Sequence, residues 1–176
     1  MSRLVYDPEV TMLLQSNLIE GEDNLLALSD AMRAWDFLSN QRRITHSVLK
    51  TLHRTLMDSQ GLHHPLDPND IGIYRNRPVY ISGRAGVNPS LIRPMLESLF
   101  MKLNERRNLP VSDEARAGYA KIIHVQYEQI HPFMDGNGRT GRMLYNWHRL
   151  ALQLPIEVIG SDLESRKNYY NWFKES

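Results

Sequence analysis

The spacing of apolar residues is what most limits the fold of this chain. Over most of its length they recur at intervals of three and four, which lines them along one face of a helix. In "PEVTMLLQSNLIEG", Val10, Leu13, Leu14 and Leu18 keep this spacing until Gly21 stops it. "NLLALSDAMRAWDFLSN" sets Leu25, Leu28, Met32, Trp35 and Leu38 on one face, and "ITHSVLKTLHRTLMD" does the same with Ile44, Val48, Leu52 and Leu56. "PSLIRPMLESLFMKLNERRN" is again helical. Ser112 or Asp113 caps a long helix through Tyr119, Ile122, Ile123, Gln126 and Ile130, and Pro132 ends it. Two further helices are predicted, from about Gly138 to Leu152 and from Leu163 to Phe173. One stretch breaks the pattern. "LHHPLDPNDIGIYRNRPVYISGRAGVNPS" is rich in Pro, Gly and Asn, with short β-type runs around Tyr74 and over Val79–Ile81. It reads as a loop carrying a small hairpin. The expected fold is therefore mostly α, with one β-hairpin. No repeat or low-complexity linker divides the 176 residues, so a single domain over 1–176 with a real core is expected.

Composition removes several chemistries. Cysteine is absent, which excludes disulfides, thiolate zinc sites and cysteine nucleophiles. Lys plus Arg (21) nearly balances Asp plus Glu (20), so net charge gives no general pull toward nucleic acid or a membrane. Any anion site must be a local cluster. The N-terminus has no long apolar run, so neither a signal peptide nor a membrane span is expected, which favours the cytoplasm.

The local cluster is "HPFMDGNGRTGR", His131 to Arg142. It lies between two predicted helices. Gly136, Asn137 and Gly138 permit positive φ, so successive N–H groups can converge on an anion. The next helix adds its N-terminal N–H groups and dipole. Arg139 and Arg142 are three apart and can project from one side of its first turn. Asp135 is an oxygen ligand beside this cradle and suits Mg²⁺ shared with phosphates. His131, with an ordinary pKa of roughly 6.5, suits a general base. Phe133 is the apolar anchor of the loop. Base, metal ligand, anion nest and arginine clamp together describe phosphoryl or nucleotidyl transfer. Taken singly, "GNG" is usually a turn and a histidine at a helix end is usually a cap. Zinc does not fit, because there is no HExxH and no third ligand near His124 and His131. A Walker loop does not fit, because no Gly-Lys-Ser/Thr follows the glycines.

The whole stretch resembles the HxFx[D/E]GNGRxxR motif of the Fic (Fido) family. "AKIIHVQYEQIHPF" before it, "GIYRNRPVYISG" and "SRKNYYNWF" resemble that family's preceding helix, flap hairpin and nucleotide-side helix. The resemblance implies a compact Fic-type helical bundle with one β-hairpin flap over 74–83 and a catalytic loop over 131–142. It implies a protein adenylyltransferase, which moves AMP from ATP to a Tyr, Thr or Ser hydroxyl of a target protein. His131 would be the base and Asp135 the Mg²⁺ ligand. Gly136, Asn137 and Gly138 would line the anion hole, with Arg139 and Arg142 on the β- and γ-phosphates. Tyr169 and Tyr170 would border the adenine, although adjacent tyrosines on a helix point to different sides. Tyr74, Arg75, Val79, Tyr80 and Ile81 would dock an extended target segment through main-chain hydrogen bonds.

"SNLIEG" resembles the family's inhibitory [S/T]xxxE[G/N] signature, with Ser16, Glu20 and Gly21 at the defining positions of an N-terminal segment, 1–22. Alone it would be a helix end with a glycine cap. In this context Glu20 would pair with Arg142 and displace the γ-phosphate. Three other readings stay open: a Doc-like kinase, a phosphodiesterase that removes AMP, and a nucleotide-sensing module with little turnover. Doc proteins resemble HxFx[D/N]xNKR, with Lys where Gly138 stands. The expected partner is a protein with an exposed hydroxyl side chain, and a homo-oligomer is compatible with the sequence. The chain stops at Ser176, too soon for the winged-helix domain of many relatives, so DNA binding is not expected.

Overall fold

The computed structural model describes residues 7–59, 66–81, 84–107 and 109–174. The outer parts of two predicted segments, residues 1–6 and 82–83, lie outside these. The described elements are α1 (Pro8–Ile19), α2 (Leu25–Ser39), α3 (His46–Leu56), a 3-10 turn (Pro68–Asp70), β1 (Tyr80–Ile81), β2 (Arg84–Ala85), α4 (Pro89–Leu103), α5 (Asp113–Ile130), α6 (Asn137–Ala151) and α7 (Leu163–Asn171). Among the described residues no helix is long and apolar enough to cross a membrane.

The helices begin where short polar side chains can take the first free N–H groups. Asp7, Asn24, Thr45, Asn88, Ser112 and Asp162 each cap one in this way. Helix α6 differs: it starts on Gly136, with no side-chain cap. It is also the central element. Its residues from Arg139 to Arg149 are buried, and it packs against α1, α2, α3 and α5. Its buried polar residues divide between two tasks: Asn137, Arg139 and Arg142 face the loop and α1, and Asn146 and Arg149 bond the 155–157 segment.

Two predicted faces are corrected. In α2, Leu25 and Met32 are exposed, while Ala27, Ala31, Ala34, Trp35 and Leu38 line the core. A column of alanines lets helices approach closely, so small residues mark the contact together with Trp35 and Leu38. In α5, Ile122 is 57% exposed beside the buried Ile123.

The hairpin expected over 74–83 is also corrected. Pairing is limited to Tyr80 with Ala85 and Ile81 with Arg84, and residues 74–79 carry no strand. Pro78 has no N–H to give to a ladder. The Arg75 N–H goes to the Pro132 carbonyl at 2.9 Å instead of across a hairpin.

Three histidines are sealed in the core: His53, His124 and His148. Burial lowers them to about 4, about 3 and about 4. Their folded values lie below the unfolded one, so they cost nothing above pH 6.5 and destabilise the fold as pH falls toward 4. Burial pushes Glu128 up to about 8, which acts in the opposite direction below pH 8. On unfolding near pH 5.5, three histidines gain protons and one glutamate loses its own. The midpoint of urea unfolding is therefore expected to drop between pH 7 and 5. His148, whose ring nitrogens have no partner among the described residues, sits near Leu99, Leu103 and Leu144. His148→Leu is expected to flatten that drop by one proton's worth, measured as midpoint against pH.

Candidate active site

The site is built at the α5–α6 junction. Pro132 makes helical backbone unfavourable for the residue before it. His131 accordingly takes a left-handed conformation, φ 49° and ψ 65°, and caps α5. This turns its half-buried side chain out of the helix path. Burial holds its imidazole below the ordinary value, against a hydrogen bond to the Glu128 carbonyl that pulls the other way. At neutral pH it is uncharged and able to accept a proton.

The loop after it is closed by Asn137. Its side-chain oxygen accepts the Phe133 N–H at 2.9 Å, and its amide donates to the Phe133 carbonyl at 2.9 Å. The Asn137 side chain is therefore committed to shaping the loop, and only its backbone can line an anion hole. Phe133 is fully buried and stacks on His53, with ring centroids 3.7 Å apart. His53 Nδ1 accepts the Gly72 N–H, so Nε2 carries the proton and donates to the Asp135 carbonyl at 2.9 Å. The Asp135 carboxylate is left at the exposed mouth of the loop, where one oxygen accepts the Gly136 N–H at 2.6 Å.

Gly136 sits at φ 71°, and a side chain there would strike Met57 Sδ. The α6 N–H groups above it thus open onto the site without a side-chain cap. Arg139 is 2% exposed, donates to Met57 Sδ at 3.3 Å, and has no partner at Nε or Nη1 among the described residues. A thioether is a weak acceptor, so this buried cation is under-satisfied and suited to an anion.

Arg142 is held from three sides. Its Nε donates to Ser16 Oγ at 2.9 Å, and Nη2 donates to the Ser16 carbonyl at 3.0 Å and to Glu20 Oε1 at 2.6 Å. Nη1 reaches the Tyr169 hydroxyl at 3.5 Å. Burial alone would depress its charge, but the Tyr169 hydroxyl and the Glu20 carboxylate outweigh that and hold it above its ordinary value. Glu20 reaches it because of how α1 ends. The Gly21 N–H bonds the Leu18 carbonyl and the Glu22 N–H bonds the Asn17 carbonyl, the paired pattern of a Schellman cap. This directs the capping Glu20 side chain onto Gly138, whose missing Cβ would clash with its carboxylate.

The two tyrosines diverge. Tyr169 is buried, with its hydroxyl between His124 Nε2 (2.9 Å) and Arg142, while Tyr170 is 43% exposed. Tyr169 thus braces the arginine, and its ring is committed to the core. The expected docking set also separates. Tyr80 is 78% exposed and Val79 half-buried, and the Ile81 backbone lies in β1. Tyr74 is instead turned inward, bonded to His46 and tilted against Phe133. Arg75 is buried, with its guanidinium on backbone carbonyls, because the chain end of α5 needs donors there. Sequence reasoning missed His53, and missed Arg75 and Tyr169 as internal braces. The available signal was weak: a histidine on the apolar face of α3 between Leu52 and Leu56.

Comparison with known proteins agrees with this geometry. "Protein adenylyltransferase Fic" of Drosophila virilis is 28% identical over 170 residues, covering 94% of this chain and 32% of that protein. Its Drosophila mojavensis counterpart is 27% identical, with 94% and 31% covered. The chain spans about a third of the length of these curated relatives. Among solved structures, a Fic domain containing signaling protein from Bacteroides thetaiotaomicron superposes with a TM-score of 0.75 at 23% identity, over 93% of this chain and 69% of that one. Fic-1 from C. elegans gives 0.76 at 22% identity, over 96% and 55%. These structural likenesses speak for the fold. The Fic/DOC family profile matches residues 43–148, which include the loop from His131 and both arginines, and the chain belongs to that family.

Proposed function

We propose that this protein transfers AMP from ATP to a hydroxyl side chain of a protein, and that Glu20 restrains the transfer. The observation that carries the reading is the carboxylate of Glu20 on Arg142 and Gly138, an anion already seated at the mouth of the α6 cradle. A polyphosphate would take Arg142 from it, together with the uncapped N–H groups of α6 and Arg139. His131 takes the proton of the incoming hydroxyl, the oxygen bonds to the α-phosphorus, and the bond to pyrophosphate breaks. Gly138 supports this orientation over a Doc-like γ-phosphoryl transfer, since it leaves room where a lysine would stand.

Among the described residues no three acidic or histidine side chains gather as a metal cluster. Asp135 alone fits Mg²⁺, an ion that keeps waters and takes phosphate oxygens for its remaining ligands. Bound there, Mg²⁺ would offset phosphate charge. Strand β1, with Tyr80 78% exposed, suits pairing with an extended target segment, which would need little from the target's side chains.

The test uses the Glu20→Gly protein with α-³²P-ATP and, separately, γ-³²P-ATP, each with Mg²⁺, alone and with lysate. Label incorporated only from the α position is expected. Label only from the γ position would reassign the protein to phosphoryl transfer.

A further inference from the structure

Arg75 lies outside the catalytic loop, yet its bonds converge on it. It is 3% exposed, and the hydrogen bonds of its guanidinium among the described residues all go to backbone carbonyls. Nε donates to His131 at 2.7 Å, and Nη2 to Ile130 at 3.3 Å. Its own N–H donates to Pro132 at 2.9 Å. Three consecutive carbonyls at the end of α5 are thus taken by one residue. A helix leaves its last carbonyls unpaired and gathers partial negative charge there, which favours a cation in that position.

The remaining bonds go elsewhere. Nη1 donates to the Arg77 carbonyl at 3.2 Å and Nη2 to the Val87 carbonyl at 2.7 Å. Arg77 and Val87 bracket the strand pair, which is closed by the Gly86 N–H on the Val79 carbonyl at 2.8 Å. A guanidinium is a planar fork whose donors cannot be re-aimed separately. Both roots of the hairpin segment and the backbone of the base are therefore fixed to one rigid group.

We propose that Arg75 is a positioning residue that sets the distance between a hydroxyl docked on the 79–81 backbone and the His131 imidazole. The catalytic part rests on the transfer reading above, whereas the mechanical coupling does not. The coupling predicts that the two regions loosen together. Amide hydrogen exchange followed by mass spectrometry reads this in the wild type, Arg75→Lys and Arg75→Gln. In Arg75→Gln, exchange at the hydrogen-bonded N–H groups of Gly86, His131 and Phe133 is expected to rise together by at least about tenfold, with α2 and α4 unchanged. Arg75→Lys keeps the charge but not the fork and falls between. It decides the matter if the glutamine variant fails to fold. A hairpin that loosens while His131 and Phe133 keep their protection would overturn the proposal.

The catalytic arm places Arg75→Lys in the Glu20→Gly protein and follows labelling from α-³²P-ATP. The maximal rate is expected to fall about tenfold, on the scale of a sub-ångström displacement, while the ATP concentration for half-maximal rate stays within about twofold. An unchanged maximal rate beside faster exchange at Phe133 would overturn the positioning role. If Glu20→Gly itself incorporates no label, the transfer reading fails, and the exchange data still decide the coupling.

Discussion

Replacing His131 with alanine is expected to lower transfer by about 10²–10⁴-fold, the range a general base contributes, while ATP binding is retained. The two effects separate because the groups offered to the phosphates belong to other residues. The N–H groups of α6, Arg139 and Arg142 are fixed by the Asn137–Phe133 bonds, by burial, and by Ser16 and Tyr169. One complication is the left-handed backbone of His131, which alanine tolerates less well than histidine. His131→Asn removes the base and keeps a residue at home at positive φ. Both variants are expected to lose turnover alike if the imidazole is the active group. Calorimetric titration with ATP beside α-³²P labelling checks this. Near-normal labelling in either variant would refute the assignment of His131 as base.

The opposite sign is expected at Glu20. Glu20→Gly should raise transfer at saturating ATP by at least about tenfold, since in-line geometry alone decides factors on the order of 10². The charge and the whole Glu20 side chain leave together. Arg142 keeps its bonds to Ser16 and Tyr169 and so remains aimed into the cradle. Glu20→Asp should give partial release, because the shorter arm from the α1 cap cannot span the same 2.6 Å contact. Arg142→Ala should not imitate release, because it removes the clamp together with the restraint. Equal initial rates for wild type and Glu20→Gly would reduce "SNLIEG" to a capped helix end.

What the sequence could reveal depended on distance along the chain. His131 through Arg142 was legible because loop, cap and first turn lie within one short span, where spacing alone fixes which groups meet. The contact of Glu20 with Arg142 crosses most of the chain, and no periodicity encodes it. It came only through resemblance. Arg75 was misread because a cation satisfied by carbonyls leaves no pattern in neighbouring residues, whereas a hairpin-like stretch invites an exposed placement. The α2 face was misread for a related reason: alanines at Ala27, Ala31 and Ala34 carry little hydrophobic signal, yet their size decides the helix contact. Pro78 did carry a warning against a long strand, since it removes a ladder donor.

The cap that ends α1 has a consequence for how the protein would respond to its surroundings. If Glu20 restrains transfer as proposed, it would act on Arg142 as a tethered ligand, whose effective concentration is set by geometry, reaching about the millimolar range even for flexible links. Such a ligand would stay with the end of α1 and could not be diluted away. An event that displaces the end of α1 would then release the restraint at unchanged ATP concentration.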